Sequence, residues 1–553
     1  IVTFPYMTAY VRYTYNTHSP DNTGMRVVLQ LNHEHEMHAV NLRDATCTVY
    51  GVTQEHWECS LCNGCFPDQE GTTRLVWESV HSYPTGHDLS DWTVITATTD
   101  TTPGRMEQTC SRCKNTYVHL LPPTAATFQD IFPDDAFRAY VRDTVLEDSA
   151  VEDTVILTED QWTRIRNRFD VQVSYQDITS LEGLQYFEGL NFLICDGNQL
   201  TELPLLESPD LYYISCGTNQ LTSLNVSQLP GLRILYCSGN QLTSLDLSAN
   251  PILETLGCNY NALAELDVSK NPALSFLDCS RNALTELDIS KNPQLTYLGC
   301  EDNRLTKLDL SANTALQELY CDQNQLTELD LSHNVALQKL SCNRNQLTSL
   351  TVAPLAKLTL LDCGDNQLTA LDVSGSTALV HLYLANNRLT ALDVTQNAAL
   401  KWLVCTGNPI SELDLRNNPA LLHLNCINCS LTELDLGANT ALTTLYCDSN
   451  QLTALDVSAN TALENLSCPS NQIKSLDLST NTALTLLDCC YNQLVRLDLD
   501  ANTALTSVSP YDQMPQTDIA ITQTGDDYTV SLKDILGADT DLSRVTVQNN
   551  GTL

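Results

Sequence analysis

The sequence predicts a solenoid of stacked 21-residue coils with a parallel β-sheet along one face. Two observations carry this reading. A cysteine returns every 21 residues from Cys195 to Cys489, interrupted once, at Leu384. Three residues after each of these positions stands an asparagine, from Asn198 to Asn492, interrupted once, at Cys429. A fixed period held over fifteen copies means that one structural unit is stacked on itself, and such stacks present long surfaces for binding.

One coil can be read in residues 295–315, LTYLGCEDNRLTKLDLSANTA. Its first half, L-x-x-L-x-C-x-x-N-x-L, is the leucine-rich repeat pattern with Cys at a position usually held by Leu. The leucines and the cysteine point inward and fill a core shared by neighbouring coils, the cysteine acting as a small hydrophobe. The asparagine is buried where the chain leaves the strand. Its amide satisfies backbone groups of its own coil and of the next, which would be costly to bury unpaired. The second half, L-x-x-L-D-L-S-x-N, carries the chain back through a turn. There Asp246, Asp267, Asp288, Asp309 and Asp330 recur. A side chain of this type accepts backbone N–H groups in a turn; a row of Ca²⁺ ions is the alternative.

This cysteine-bearing repeat, with its LTxLDLSxNxAL half, resembles the repeats of internalin J and related surface leucine-rich repeat proteins of Gram-positive bacteria. The resemblance covers residues 178–508. It implies a secreted or wall-attached adhesion protein with a curved parallel sheet on its concave face. Leu384, Cys429 and Thr351, which replaces the recurring Asp, depart from the pattern.

Composition narrows the partners. The net charge of −39 over 553 residues disfavours nucleic acid and bare anionic membrane. No run of eighteen apolar residues predicts membrane insertion. Of 22 cysteines, fourteen belong to the ladder. Coils about 4.8 Å apart do not suit a disulfide, whose Cβ atoms sit about 3.8 Å apart, so buried free thiols are expected. Cys59-x-x-Cys62 and Cys110-x-x-Cys113 have the spacing with which thiolates grip one tetrahedral Zn²⁺. A structural zinc is therefore the expected cofactor, two disulfides the alternative. The cluster LNHEHEMH lacks the H-E-x-x-H spacing of a zinc protease, because Met37 and Ala39 follow His33 and His35 at four residues.

The chain divides in order. Residues 1–45 alternate as strands and read as the end of a preceding β module. Residues 46–123 hold the CxxC module. Residues 124–177 read as a helical cap that covers the open apolar end of the first coil. Within it, DDAFRAYVRDTV is an amphipathic helix entered through Pro133 and Asp134, and TEDQWTRIRNRF opens on a capping box of Thr158 and Gln161. Repeats fill 178–508, and 509–553 reads as the start of another β domain, cut short.

The binding residues are sought on the outward positions of the strands. Tyr236, Tyr320, Tyr383 and Tyr446 stand at the centre of the sheet, the last three separated by three strands each, which is about 14 Å. Phe276, Tyr297 and Trp402 lie one column over. Tyrosine offers a large apolar body with a hydrogen-bonding tip at little entropic cost, which suits a binding surface. The expected function is adhesion through this face to a host or community protein or glycan, with the chain acting as a monomer. A wall spacer or the targeting arm of a larger enzyme is the alternative. No nucleophile elbow, P-loop or dinucleotide fingerprint is present, so no catalysis is expected.

Overall fold

A computed structural model describes residues 88–112, 114–510 and 513, together with short strands within 9–82 and 522–529. Contacts divide the chain into two units, 1–97 with 105–119 and 98–104 with 120–553. In the first unit, Ala9–Tyr13 pairs antiparallel with Val27–Leu31, the two segments whose alternation predicts strands. Met37–Val40, His56–Cys59 and Cys65–Phe66 form a second antiparallel sheet. Thr93–Thr96, Gly104–Thr109 and Thr116–Leu121 form a third.

The second unit opens with helical segments. Asp134 caps the helix Asp135–Tyr140, its Oδ1 accepting from the amides of Ala136 and Phe137 at 3.0 and 2.9 Å. Its other oxygen accepts from Thr179 N and Oγ1, both at 2.8 Å, which ties the helix start to the chain just before the first ladder cysteine. The helix Glu159–Arg166 begins with the expected capping box of Thr158 and Gln161. Phe128, Phe132, Phe137 and Phe187 are buried and meet largely edge to face, Phe132 lying 5.8 Å from Phe137 and 6.4 Å from Phe187. These rings are continuous with the core of the coils, which runs without interruption from Phe128 to Val508.

Seventeen three-residue strands, from Asp170–Gln172 to Ser507–Ser509, form one parallel sheet in sequence order. The architecture is the expected leucine-rich repeat solenoid. Its sheet starts one strand before the first ladder cysteine, with Asp170 opposite Phe192 and then a 21-residue step at every later pair. The central residue of each strand is buried, a leucine in all but Val171, Ile214 and Val508, and so are the ladder cysteines two residues on. All fourteen ladder cysteines are free and fully buried. Burial pushes their thiols up, Cys237 to about 12, so none is a thiolate at neutral pH.

The asparagine does more than the repeat alone indicates. Asn324 Nδ2 donates to the carbonyls of Cys321 and Asp322 in its own coil, at 3.2 Å each, and to that of Cys300 in the preceding coil at 2.9 Å. Its Oδ1 accepts from Leu305 N, again in the preceding coil, at 2.9 Å. The residue before each ladder asparagine adopts a left-handed conformation, as in Thr218, Tyr260 and Asp302 with φ of 54°. This corner turns the amide inward. A left-handed non-glycine residue costs about 1–2 kcal/mol, a cost the four-way hydrogen bonding opposes. At the end of the stack Gln513 occupies the asparagine position, 21 residues after Asn492, and accepts from Leu494 N at 3.0 Å.

The recurring aspartates cap their turns as expected. Asp246, Asp267, Asp309 and Asp330 each accept the backbone amide two residues on, at 2.8–2.9 Å. Those bonds hold the carboxyls below their ordinary pKa. A second asparagine column lies beside them. Asn313 Nδ2 donates to Ile289 O at 3.1 Å and Asn292 O at 2.9 Å, again joining coils.

Replacing Asn324 by Ala leaves the buried Leu305 amide without its partner, while the Cys300 carbonyl keeps its bond from Asn303 Nδ2 at 3.1 Å. We expect a loss of about 1–3 kcal/mol in denaturant unfolding, against at most about 0.5 kcal/mol for Lys307→Ala on the exposed turn. Equal losses in the two variants would contradict this role.

Candidate binding surface

Each strand turns its first and third residues outward, and these are half-buried wherever side chains stand close together. Because the register is exact from strand to strand, residues 21 apart form columns, and neighbouring columns bring rings together. Tyr236 stands 6.2 Å from Tyr213, which stacks on Phe192 at 4.3 Å. Phe276 and Tyr297 stack at 4.3 Å with an 11° interplanar angle, and Tyr320 lies 5.6 Å from Tyr297. The third group is the longest. His381 meets Tyr383 at 6.4 Å and Trp402 at 5.5 Å; Trp402 stacks on His423 at 6.1 Å; His423 meets Tyr446 edge-on at 5.6 Å.

Tyr320, Tyr383 and Tyr446 keep their expected three-strand spacing, but the rings gather in three groups instead of one evenly spaced row. Lys339, Ser341, Leu360 and Asp362 fill the two strands between Tyr320 and Tyr383. His381 and His423 are the residues that a search for tyrosine and tryptophan overlooks. The signal was available: they flank Trp402 at 21 residues on either side.

Several central positions barely reach solvent. Ser215, Ser341 and Ser467 are buried, and Ser341 Oγ donates to Asp322 Oδ1 at 2.6 Å. Gly257 is covered by its neighbour, since a Cβ there would stand 2.7 Å from Tyr236 Cδ1. Glycine thus lets the Tyr236 ring lie across the next strand.

The second and third groups differ in charge. Around Tyr297 and Tyr320 the face is acidic. Burial pushes Glu301 up to about 7, helped by Asp278 and Asp322. Burial and the surrounding carboxylates also push Tyr297 up to about 12. Tyr320 Oη donates to Glu318 at 3.0 Å, and Glu318 pairs with Lys339 at 2.9 Å. In the third group burial lowers the pKa of both His381 and His423, with Lys401 adding to the effect on His381. The run from Tyr383 to Tyr446 is therefore uncharged at neutral pH.

Of the expected zinc ligands, Cys62 and Cys113 lie outside the described residues. Cys59 ends the strand His56–Cys59. Cys110 is buried, its Sγ accepting from Asp88 N at 3.4 Å.

No family model matches the sequence, and no curated protein matches it. Solved structures do. The functional domain of InlJ from Listeria monocytogenes, which includes a cysteine ladder, is 38% identical, over 65% of this chain and 80% of that domain, with a TM-score of 0.61. A leucine-rich repeat protein of Leptospira interrogans, at 22% identity over 64% of this chain and 93% of its own with a TM-score of 0.52, shares the fold.

The acidic group generates a pH dependence. Glu301 holds its proton up to about 7 in the folded chain, against an ordinary value of 4.5. Its contribution to stability is thus full below pH 4.5 and is lost as pH rises through about 7. Glu301→Gln is expected to stabilise the chain at pH 8 by about 1 kcal/mol, solvent screening of the part-exposed group having reduced the gain. At pH 4.5 it is expected to be neutral. Thermal melts of both proteins across this range check the sign; a variant less stable at pH 8 than at pH 4.5, relative to wild type, would contradict it.

Proposed function

The chain belongs to the cysteine-ladder internalin proteins of the leucine-rich repeat class, and from that premise we propose that it is a secreted or cell-surface adhesion protein. Its sheet face takes an extended host or community partner, a protein or a glycan chain. Folds of this type commonly mediate protein binding. The observation that supports the reading is the uncharged run His381–Tyr383–Trp402–His423–Tyr446, which crosses four adjacent strands and so extends about 14 Å. Rings fixed by stacking lose little freedom when a partner docks, and their polar edges still offer hydrogen bonds. A footprint of this length suits a polymer better than a small molecule, because linked contacts multiply.

We read the chain as non-catalytic. The ladder thiols are fully buried and protonated, hence poor nucleophiles toward a dissolved substrate. Among the described residues no helix is long and apolar enough to cross a membrane.

A screen of protein and glycan arrays with the whole chain identifies the partner. Trp402→Ala or Tyr446→Ala is then expected to weaken binding by about 1–3 kcal/mol, and replacing Tyr383, Trp402 and Tyr446 together to abolish it. Lys270→Ala, on an exposed turn, is expected to change nothing. Binding that survives the triple substitution but falls with Lys270→Ala would place the site on the turns and contradict the proposal.

A further inference from the structure

The two ladders intersect at one point, and there the chain carries two thiols. Position 429 belongs to the asparagine column. One coil later Asn450 Nδ2 reaches back to the carbonyl of Cys426, 24 residues earlier, at 2.8 Å. Cys429 sits in the equivalent place over Cys405, and its Sγ donates to Cys405 O at 3.4 Å. It also lies 4.0 Å from Cys405 Sγ. Elsewhere in the ladder, thiols such as Cys279 and Cys321 donate to strand carbonyls, at 3.5 and 3.4 Å.

We propose that Cys405 and Cys429 form a site of reversible oxidation, closing to a disulfide that clips together the two adjacent coils that carry Trp402 and His423. The inference does not depend on what the sheet face binds. Cysteines at equivalent ladder positions are separated by a full strand spacing of about 4.8 Å, too wide for the Cβ separation of about 3.8 Å that a disulfide prefers. The three-residue offset of Cys429 removes that obstacle, since its sulfur already points at Cys405. Closing to the S–S length of about 2.05 Å then requires side-chain rotation and a small shift of one corner. That corner lacks the asparagine that fixes it elsewhere: the Ile410 amide, which an asparagine at 429 would bind, turns instead to Asn408 O at 2.8 Å.

The two sulfurs have distinct parts. Cys405 is fully buried, whereas Cys429 retains 6% exposure. The hydrogen bond between them lowers the pKa of Cys429 and raises that of Cys405. Cys429 is therefore the sulfur that meets an oxidant, here a hydroperoxide. Its thiolate attacks one peroxide oxygen and the O–O bond breaks. Cys429 becomes a sulfenic acid, and the other oxygen leaves as water with hydrogen peroxide as oxidant. The Cys405 sulfur then attacks the Cys429 sulfur. An S–S bond forms, the S–O bond breaks, and the hydroxyl leaves as water with the Cys405 proton. Two thiols and one peroxide thus give one disulfide and two waters.

The test uses the whole chain, reduced, freed of reductant and exposed to hydrogen peroxide. It is then quenched in acid, unfolded, alkylated and digested with trypsin without reductant. Lys401 and Arg416 isolate Cys405 on its own peptide, 402–416. We expect that peptide to be found linked to the one carrying Cys429, with near-complete loss of alkylation at both cysteines. The linkage should disappear on adding a thiol reductant, and Cys447 and Cys468 should remain fully alkylated. In Cys429→Asn, which restores the ladder, Cys405 should stay fully alkylated after the same treatment. Full alkylation of Cys405 in the oxidised wild type, with Cys429 untouched or carried on to sulfinic acid, would overturn the proposal. So would equal loss of Cys405 alkylation in Cys429→Asn.

Discussion

The structure depends on the carboxamide three residues after each ladder position, present in every repeat but that of Cys429. Leucine burial supplies most of the stabilisation, at about 1.5–3 kcal/mol per side chain, but it has no direction and would tolerate coils sliding on one another. The asparagine supplies the direction. By binding carbonyls of two coils and an amide of the earlier one, as Asn324 does, it fixes each coil against its neighbour. An unpaired buried backbone group costs about 1–3 kcal/mol, so a register that leaves the amide misplaced is disfavoured in every coil at once. In-register strands follow, and from them the columns that place Trp402 between His381 and His423.

The places where the repeat departs from its pattern show what each position requires. Leu384 replaces a ladder cysteine and is equally buried, because that site needs only a hydrophobe. The second asparagine column tolerates more. Ser376 takes its place in one coil and supplies a single bond, to Val352 O at 2.9 Å, while Leu355 supplies none in the coil before. The first column admits only Cys429 and, at the last coil, Gln513, whose longer amide reproduces the bonding to Leu494 N and Cys489 O.

Much of this is legible in the residues. Period, inward leucines, the buried cysteine ladder and the capped turns follow from the recurrence of single letters. The helix start at Thr158 follows from its capping box. What is hard to read is what depends on two columns at once. Tyr383 and Tyr446 look like isolated rings until His381 and His423 are placed between them and Trp402. Ser341 has the alternation of an exposed residue, yet Asp322, in the column after the cysteines, draws it under. The approach of Cys429 to Cys405 is likewise invisible in a linear count of 24 residues; it requires the offset between the cysteine and asparagine columns. Such pairings belong to the stacking geometry, not to either segment alone.

The central claim is that the asparagine amides hold the coils in register, and with them the columns that carry the ring run. Hydrogen exchange on the intact chain tests it within a single experiment. The amides of Leu389 and Leu431 are bound by ladder asparagines at 3.1 and 3.0 Å, whereas that of Ile410, equally buried, has only a local bond. If the amide ladder controls local opening, Ile410 exchanges faster than Leu389 and Leu431, and Cys429→Asn slows it to their rate. Equal protection of all three amides in the wild-type chain would contradict the account.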